Sequence, residues 1–250
     1  MNYIHTPLVN ARYWMAITLA SVFGTNLGDF YAHESGLGIV AGLAVLALLA
    51  AAVFGIERVD KRRHEAYYWL VIILIRTGAT NIADYLAFRV RVPVAALTIS
   101  LIALLCLFGF FTHRSARIAD ERSGALPKTD AAYWLAMLTA GVFGTVVGDI
   151  CEHAIGEGVA LVVLTALFLC VLFVGGHRAT QTNALYWAIV AVARTTGTAI
   201  GDWLAENKVL HIGLSASTLL TGVAFVAVLV LWRTGRKEAR ALVESTSGAV

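Results

Sequence analysis

The hexad Gly24-Thr25-Asn26-Leu27-Gly28-Asp29 recurs as Ala79-Thr80-Asn81-Ile82-Ala83-Asp84, as Gly144-Thr145-Val146-Val147-Gly148-Asp149 and as Gly197-Thr198-Ala199-Ile200-Gly201-Asp202. A Tyr-Trp pair precedes every copy at constant distance. Trp14, Trp69, Trp134 and Trp187 each stand fifteen residues before the Asp and eleven before the Thr. Two spacings held through four copies define an internal repeat, which restricts the chain to folds assembled from copies of one unit.

Apolar stretches surround the hexads. Residues 93–112 carry no charge, and about 20 apolar residues suffice to cross a bilayer. With 59% hydrophobic and 14% charged residues, the 250-residue chain is too apolar for an ordinary soluble domain. The pattern predicts an all-α integral membrane protein with eight transmembrane helices, at about 13–33, 39–54, 67–88, 93–112, 132–154, 159–174, 185–206 and 212–232. Four such spans form a first half (1–112) and four a second half (132–232). A basic linker (113–131) joins the halves, and a polar tail (233–250) is expected to fray. The amino terminus lacks the pattern of a cleaved signal peptide, so the first span is expected to act as its own insertion signal.

Lys and Arg concentrate in the loops on the side of the termini, which places both ends in the cytoplasm by the positive-inside rule. The net charge of +3 therefore does not point to nucleic acid. Cys106, Cys151 and Cys170 fall within apolar segments and are expected to be small buried core residues. With two spans per copy, successive copies enter the membrane in the same direction, giving four parallel two-helix repeats. The odd helices carry the small pairs Gly24/Gly28, Ala79/Ala83, Gly144/Gly148 and Gly197/Gly201, which let backbones approach closely in lipid. Odd helices are therefore expected to form an inner bundle, with the even helices peripheral against membrane lipid. The Tyr-Trp pairs are expected to anchor at the membrane interface.

The four Trp residues and their hexads resemble a family of bacterial membrane proteins built from four tandem repeats of unknown function, the DUF347 repeat, each with two spans and a characteristic Trp. The resemblance covers about residues 13–232. It implies this architecture and a place in the bacterial inner membrane, and it supplies no activity.

Function is therefore sought in the ionisable residues within spans. Positions four apart share a helix face. Thr25, Asp29 and His33 form one stripe, and Thr145, Asp149 and His153 repeat it. Arg76, Thr80 and Asp84 form another, repeated by Arg194, Thr198 and Asp202 and extended by Glu206. Glu34 and Glu152 flank the two histidines. Four convergent carboxylates against two arginines leave a formal deficit of two charges, which a divalent cation would neutralise. Carboxylates with one or two imidazoles suit Zn, Mn, Fe, Co or Ni. An alternative is that Asp84 pairs with Arg76 or Arg194 to fix helix packing, and that the histidines are ordinary interfacial residues.

The expectation is a transporter or permease for a divalent metal ion through an Asp29/His33/Asp84/Asp149/His153/Asp202/Glu206 site. Thr25, Thr80, Thr145, Thr198, Arg76, Arg194, Glu34 and Glu152 would support it. A membrane-embedded metal-dependent hydrolase, a proton-coupled carrier of a small organic cation, and a purely structural protein are the alternatives.

Overall fold

The computed structural model describes residues 6–34, 36–60, 64–116, 126–175, 182–207 and 210–247. All regular structure among them is helical: α1 (Ala11–Glu34), α2 (Gly38–Val59), α3 (Ala66–Asp84), α4 (Val94–Ala116), α5 (Ala131–Ile155), α6 (Glu157–Gly175), α7 (Asn183–Glu206) and α8 (Gly213–Ser247). A π-helical turn, Tyr85–Arg89, extends α3.

Local chemistry places the boundaries. Asn10 and Asp130 stand at matching places before α1 and α5, and their side chains accept from the backbone N–H of Tyr13 (3.0 Å) and Tyr133 (3.2 Å). Each thereby satisfies a donor that the first helical turn leaves free. Pro93 precedes the first residue of α4, where its missing N–H costs nothing. Gly156 ends α5 at φ +83°, a conformation open to glycine.

The helices α1, α3, α5 and α7 pack in a closed ring in that order, and the diagonal pairs are not neighbours. Each even helix packs chiefly on the odd helix that follows it: α2 on α3, α4 on α5, α6 on α7, and α8 back on α1. The small residues lie at the ring contacts. A Cβ on Gly24 would meet the Arg76 side chain, and one on Gly144 would meet the α7 backbone at Arg194. One on Gly201 would meet Asn26 and Thr25 of α1. Close backbone approach of this kind needs glycine.

Six helices are long and apolar enough to cross a membrane, namely α2, α3 with its π turn, α4, α5, α6 and α8. Their number makes this a multi-pass membrane protein. Helices α1 and α7, 24 residues each, fall short of that hydropathy because their polar residues face the ring interior.

Three expectations need correction. Cys106 and Cys170 are exposed and Cys151 is partly so, because α4 and α6 turn most of their surface outward. The polar tail does not fray at residue 233. Helix α8 continues to Ser247 through a run of Lys, Glu, Ala, Arg and Leu, all good helix formers. The Tyr-Trp pairs are not anchors on the outer surface. Tyr13, Tyr68, Tyr133 and Tyr186 are buried in the main core with Trp14, Trp69 and Trp187, because the Tyr rings meet on the ring axis and the Trp rings pack against them. Residues 117–125 of the 113–131 linker lie outside the described residues.

Candidate functional site

Along each odd helix, residues four apart recur on the face turned to the ring axis, so the interior is built in layers about 6 Å apart. The first layer is Tyr13, Tyr68, Tyr133 and Tyr186. Their hydroxyls close a square: Tyr13 to Tyr68 at 3.1 Å, Tyr68 to Tyr133 at 2.6 Å, Tyr133 to Tyr186 at 2.9 Å, and Tyr186 to Tyr13 at 2.6 Å. The next is an apolar collar of Ile17, Ile72, Met137 and Val190, all fully buried. Ser21, Arg76, Gly141 and Arg194 follow, then the repeat threonines, then the repeat aspartates.

Arg76 crosses the axis and spends its five N–H donors on hydroxyls from all four odd helices. Its Nε donates to Ser21 Oγ at 3.2 Å. Nη1 donates to Thr80 at 3.0 Å and Thr145 at 2.9 Å. Nη2 donates to Thr25 at 2.5 Å and Thr198 at 2.6 Å. Three of the threonines in turn donate to carbonyls one turn back: Thr25 to Ser21 (3.0 Å), Thr80 to Arg76 (3.5 Å) and Thr198 to Arg194 (3.2 Å). Their lone pairs thus face the axis as a cradle for a donor-only cation.

The alternative pairing of Asp84 with Arg76 or Arg194 is not what the structure has. Among the described residues neither Arg76 nor Arg194 makes an ion pair, the ion pair present being Arg12–Glu65 at 2.8 Å. The reason is geometric. For Arg76 the threonines lie one turn nearer than the aspartates, and with five good acceptors within reach it has no donor left for a carboxylate; Arg194 turns the other way, toward Met137.

Beyond the cradle the ring opens into a vestibule of about 960 Å³. Thr25, Thr80 and Thr145 line its floor, and Asp29, Asp84, Asp149 and Asp202 its wall, with His33, His153, Glu152 and Glu206 higher up. The structure thus brings the seven expected ligand residues to one cavity. They stand apart around it: no group of three His, Cys, Asp or Glu among the described residues is arranged to hold a metal ion. Glu34 is not in the lining and instead accepts from Ser215 Oγ at 3.0 Å, tying the end of α1 to the start of α8.

The two histidines share one geometry. Nδ1 of His33 lies 2.9 Å from the carbonyl of Asp29, and Nδ1 of His153 lies 2.7 Å from that of Asp149. A carbonyl only accepts, so Nδ1 carries the proton, and in the neutral ring Nε2 holds the lone pair. Metal-binding histidines are commonly oriented by such a bond.

Sequence reasoning missed Arg89 and Glu157, which also line the vestibule. Arg89 arrives there through the π turn, a local irregularity that four-residue spacing does not anticipate. It also missed the tyrosine square, although each Tyr stands twelve residues before its Thr and so falls on the same stripe.

Ring, sheath and vestibule together define a multi-pass helical membrane protein with a one-sided acidic cavity. Residues 12–62 and 185–237 match the Repeat of Unknown Function (DUF347), so the chain carries that repeat toward each end, and the repeat's description assigns no activity. Neither the curated proteins nor the solved structures contain a match.

Proposed function

We propose that this protein is a carrier for a cationic solute, with a divalent metal ion as its substrate and the vestibule as its uptake site. One observation carries the reading: seven carboxylates line one open cavity whose floor is a ring of hydroxyls, with Arg89 the one Arg or Lys in the wall among the described residues. A concave surface of one charge focuses the field and concentrates counter-ions, and carboxylate rings select cations. The orphan Nε2 of His33 and of His153 adds nitrogen ligands of the kind that Zn or Mn class ions accept. With the carboxylates standing apart, the ion would enter with much of its water, and some wall residues would close on it.

A carrier fits better than an open pore. Below the floor the axis is filled by the Arg76 guanidinium, the apolar collar and the tyrosine square. A fixed positive charge on the axis bars a cation unless helices move. On this reading α1 and α7 also cross the membrane inside their sheath, as the odd members of four parallel two-helix repeats. With both termini in the cytoplasm, the vestibule faces outward.

The cavity's size and its apolar members Ile39, Phe88 and Leu214 favour a second reading, a small organic cation. The test is titration of purified protein with Mn²⁺ and Zn²⁺, then flux into liposomes. Wild type should bind and transport metal, and Asp29→Asn with Asp149→Asn should lose both. If wild type binds neither ion, the metal reading fails, and uptake of an alkyl diamine becomes the measurement for the organic-cation reading.

A further inference from the structure

Arg76 and Arg194 occupy equivalent places, each eight residues after its Tyr and four before its Thr, on helices that face each other across the ring. Both are completely buried. Their circumstances are opposite. Every donor of Arg76 meets a hydroxyl. Arg194 sends Nη2 toward Met137 Sδ at 3.5 Å, into the apolar collar, while its Nε and Nη1 have no partner. A sulfur is a weak acceptor, and a buried guanidinium cannot shed its proton to escape the cost. An arrangement of this kind needs a reason.

The threonines supply one. Thr25, Thr80, Thr145 and Thr198 come from all four helices, so their cradle belongs to no one arginine. Two Nη atoms bridging four hydroxyls fill it, and a second guanidinium has no place there. We propose that the cradle is a single guanidinium site for which Arg76 and Arg194 compete, so that the bundle has two alternative states with one arginine seated and the other turned back toward the tyrosines. Arg76 here reaches over the axis to Thr198 of α7. In the other state Arg194 reaches over it to Thr80 of α3. Exchange shifts the cross-axis tie from one helix to its opposite without changing the charge beneath the aspartates.

The test is thermal unfolding of the purified full-length protein in four forms: wild type, Arg76→Met, Arg194→Met and the double variant. Methionine keeps length and flexibility while removing every donor. Competition predicts that Arg194→Met melts at or above wild type, because it removes an unpartnered charge. It predicts that Arg76→Met also stays within about 2 °C of wild type, because Arg194 takes the vacant cradle. The double variant, with no guanidinium to seat, should melt about 5 °C or more below either single. If Arg76→Met fails to fold or melts as low as the double variant, Arg194 cannot serve the cradle and the proposal is overturned. It is equally overturned if Arg194→Met is as damaging as the double change, or if the double variant melts where the two single shifts add.

Discussion

A methyl group placed on Gly144 would lie 2.7 Å from both the carbonyl carbon and Cβ of Arg194 and 2.9 Å from the amide nitrogen of Thr195, whereas ordinary contact is 3.4–4 Å. Two of these atoms are backbone of α7, so no rotamer change relieves the overlap. Helices α5 and α7 must part, and the neighbouring contact of Gly148 with Thr198 opens with them. Overpacking of this kind costs about 1–3 kcal/mol. Against it stands the helix preference of Ala over Gly, up to about 1 kcal/mol. Gly144→Ala should therefore destabilise by about 1–2 kcal/mol, lowering the melting temperature by about 2–8 °C. Gly55→Ala is the internal control. Gly55 also lies within a helix, yet nothing stands within 4 Å of its added methyl, so the substitution should stabilise by up to about 1 kcal/mol. Melting curves of the two variants in one detergent decide the matter. Gly144→Ala melting as high as Gly55→Ala would refute the claim that close approach, and not chance, keeps glycine at position 144.

Three further outcomes are expected. Tyr186→Phe removes the bonds to Tyr13 and Tyr133 and should cost about 1–3 kcal/mol, while changing all four tyrosines to Phe should cost far less than four times as much, since no hydroxyl is then left unpartnered; denaturant or thermal melting reads both. Thr112→Val strands the buried indole N–H of Trp187, which donates to Thr112 Oγ1 at 2.9 Å, and should cost about 1–3 kcal/mol, whereas Thr98→Val on the exposed face of α4 should be close to neutral in the same melt. In nanodiscs, an apolar diazirine that inserts from the lipid on illumination, with no need for a thiolate, should label Cys106 and Cys170 more than Cys151, because the first two are exposed on the outer helices and the third is half-buried; mass spectrometry measures the order.

Much of the architecture was legible because the repeat fixes which residues share a stripe. Thr25 and Asp29, Thr80 and Asp84, Thr145 and Asp149, Thr198 and Asp202 reach one cavity or its floor because four-residue spacing on a helix is nearly one turn. The small pairs named the faces that touch, and the uninterrupted apolar runs of α2, α4, α6 and α8 named those that do not. What sequence could not give was reach across the axis. Arg76 shares a stripe with both Thr80 and Asp84, and only the distance between facing helices decides that hydroxyls from three other helices come within its span. The opposite fates of Arg76 and Arg194 are invisible for the same reason, since nothing in their local sequence distinguishes them. The tyrosines are legible too, for their regular interval puts them on the same stripe; interfacial anchoring is the usual place of aromatics in membrane helices, and burial overrides that tendency here.

The order in which even helices cover odd ones has a consequence for biogenesis. Helix α1 is less apolar than the six candidate spans, and its outer side is covered by α8, which is synthesised after all the other helices of the bundle. Arg12 at its start reaches the carbonyl of Leu229 on α8 at 3.4 Å, and Asn26 at mid-helix donates to Ser217 of α8. Until α8 has been made, Asn26 lacks its Ser217 partner and Arg12 has Glu65 but not the Leu229 carbonyl. Full docking of α1 therefore waits on α8. A ribosome stalled before α8 would leave a product in which the outer side of α1 lacks its cover.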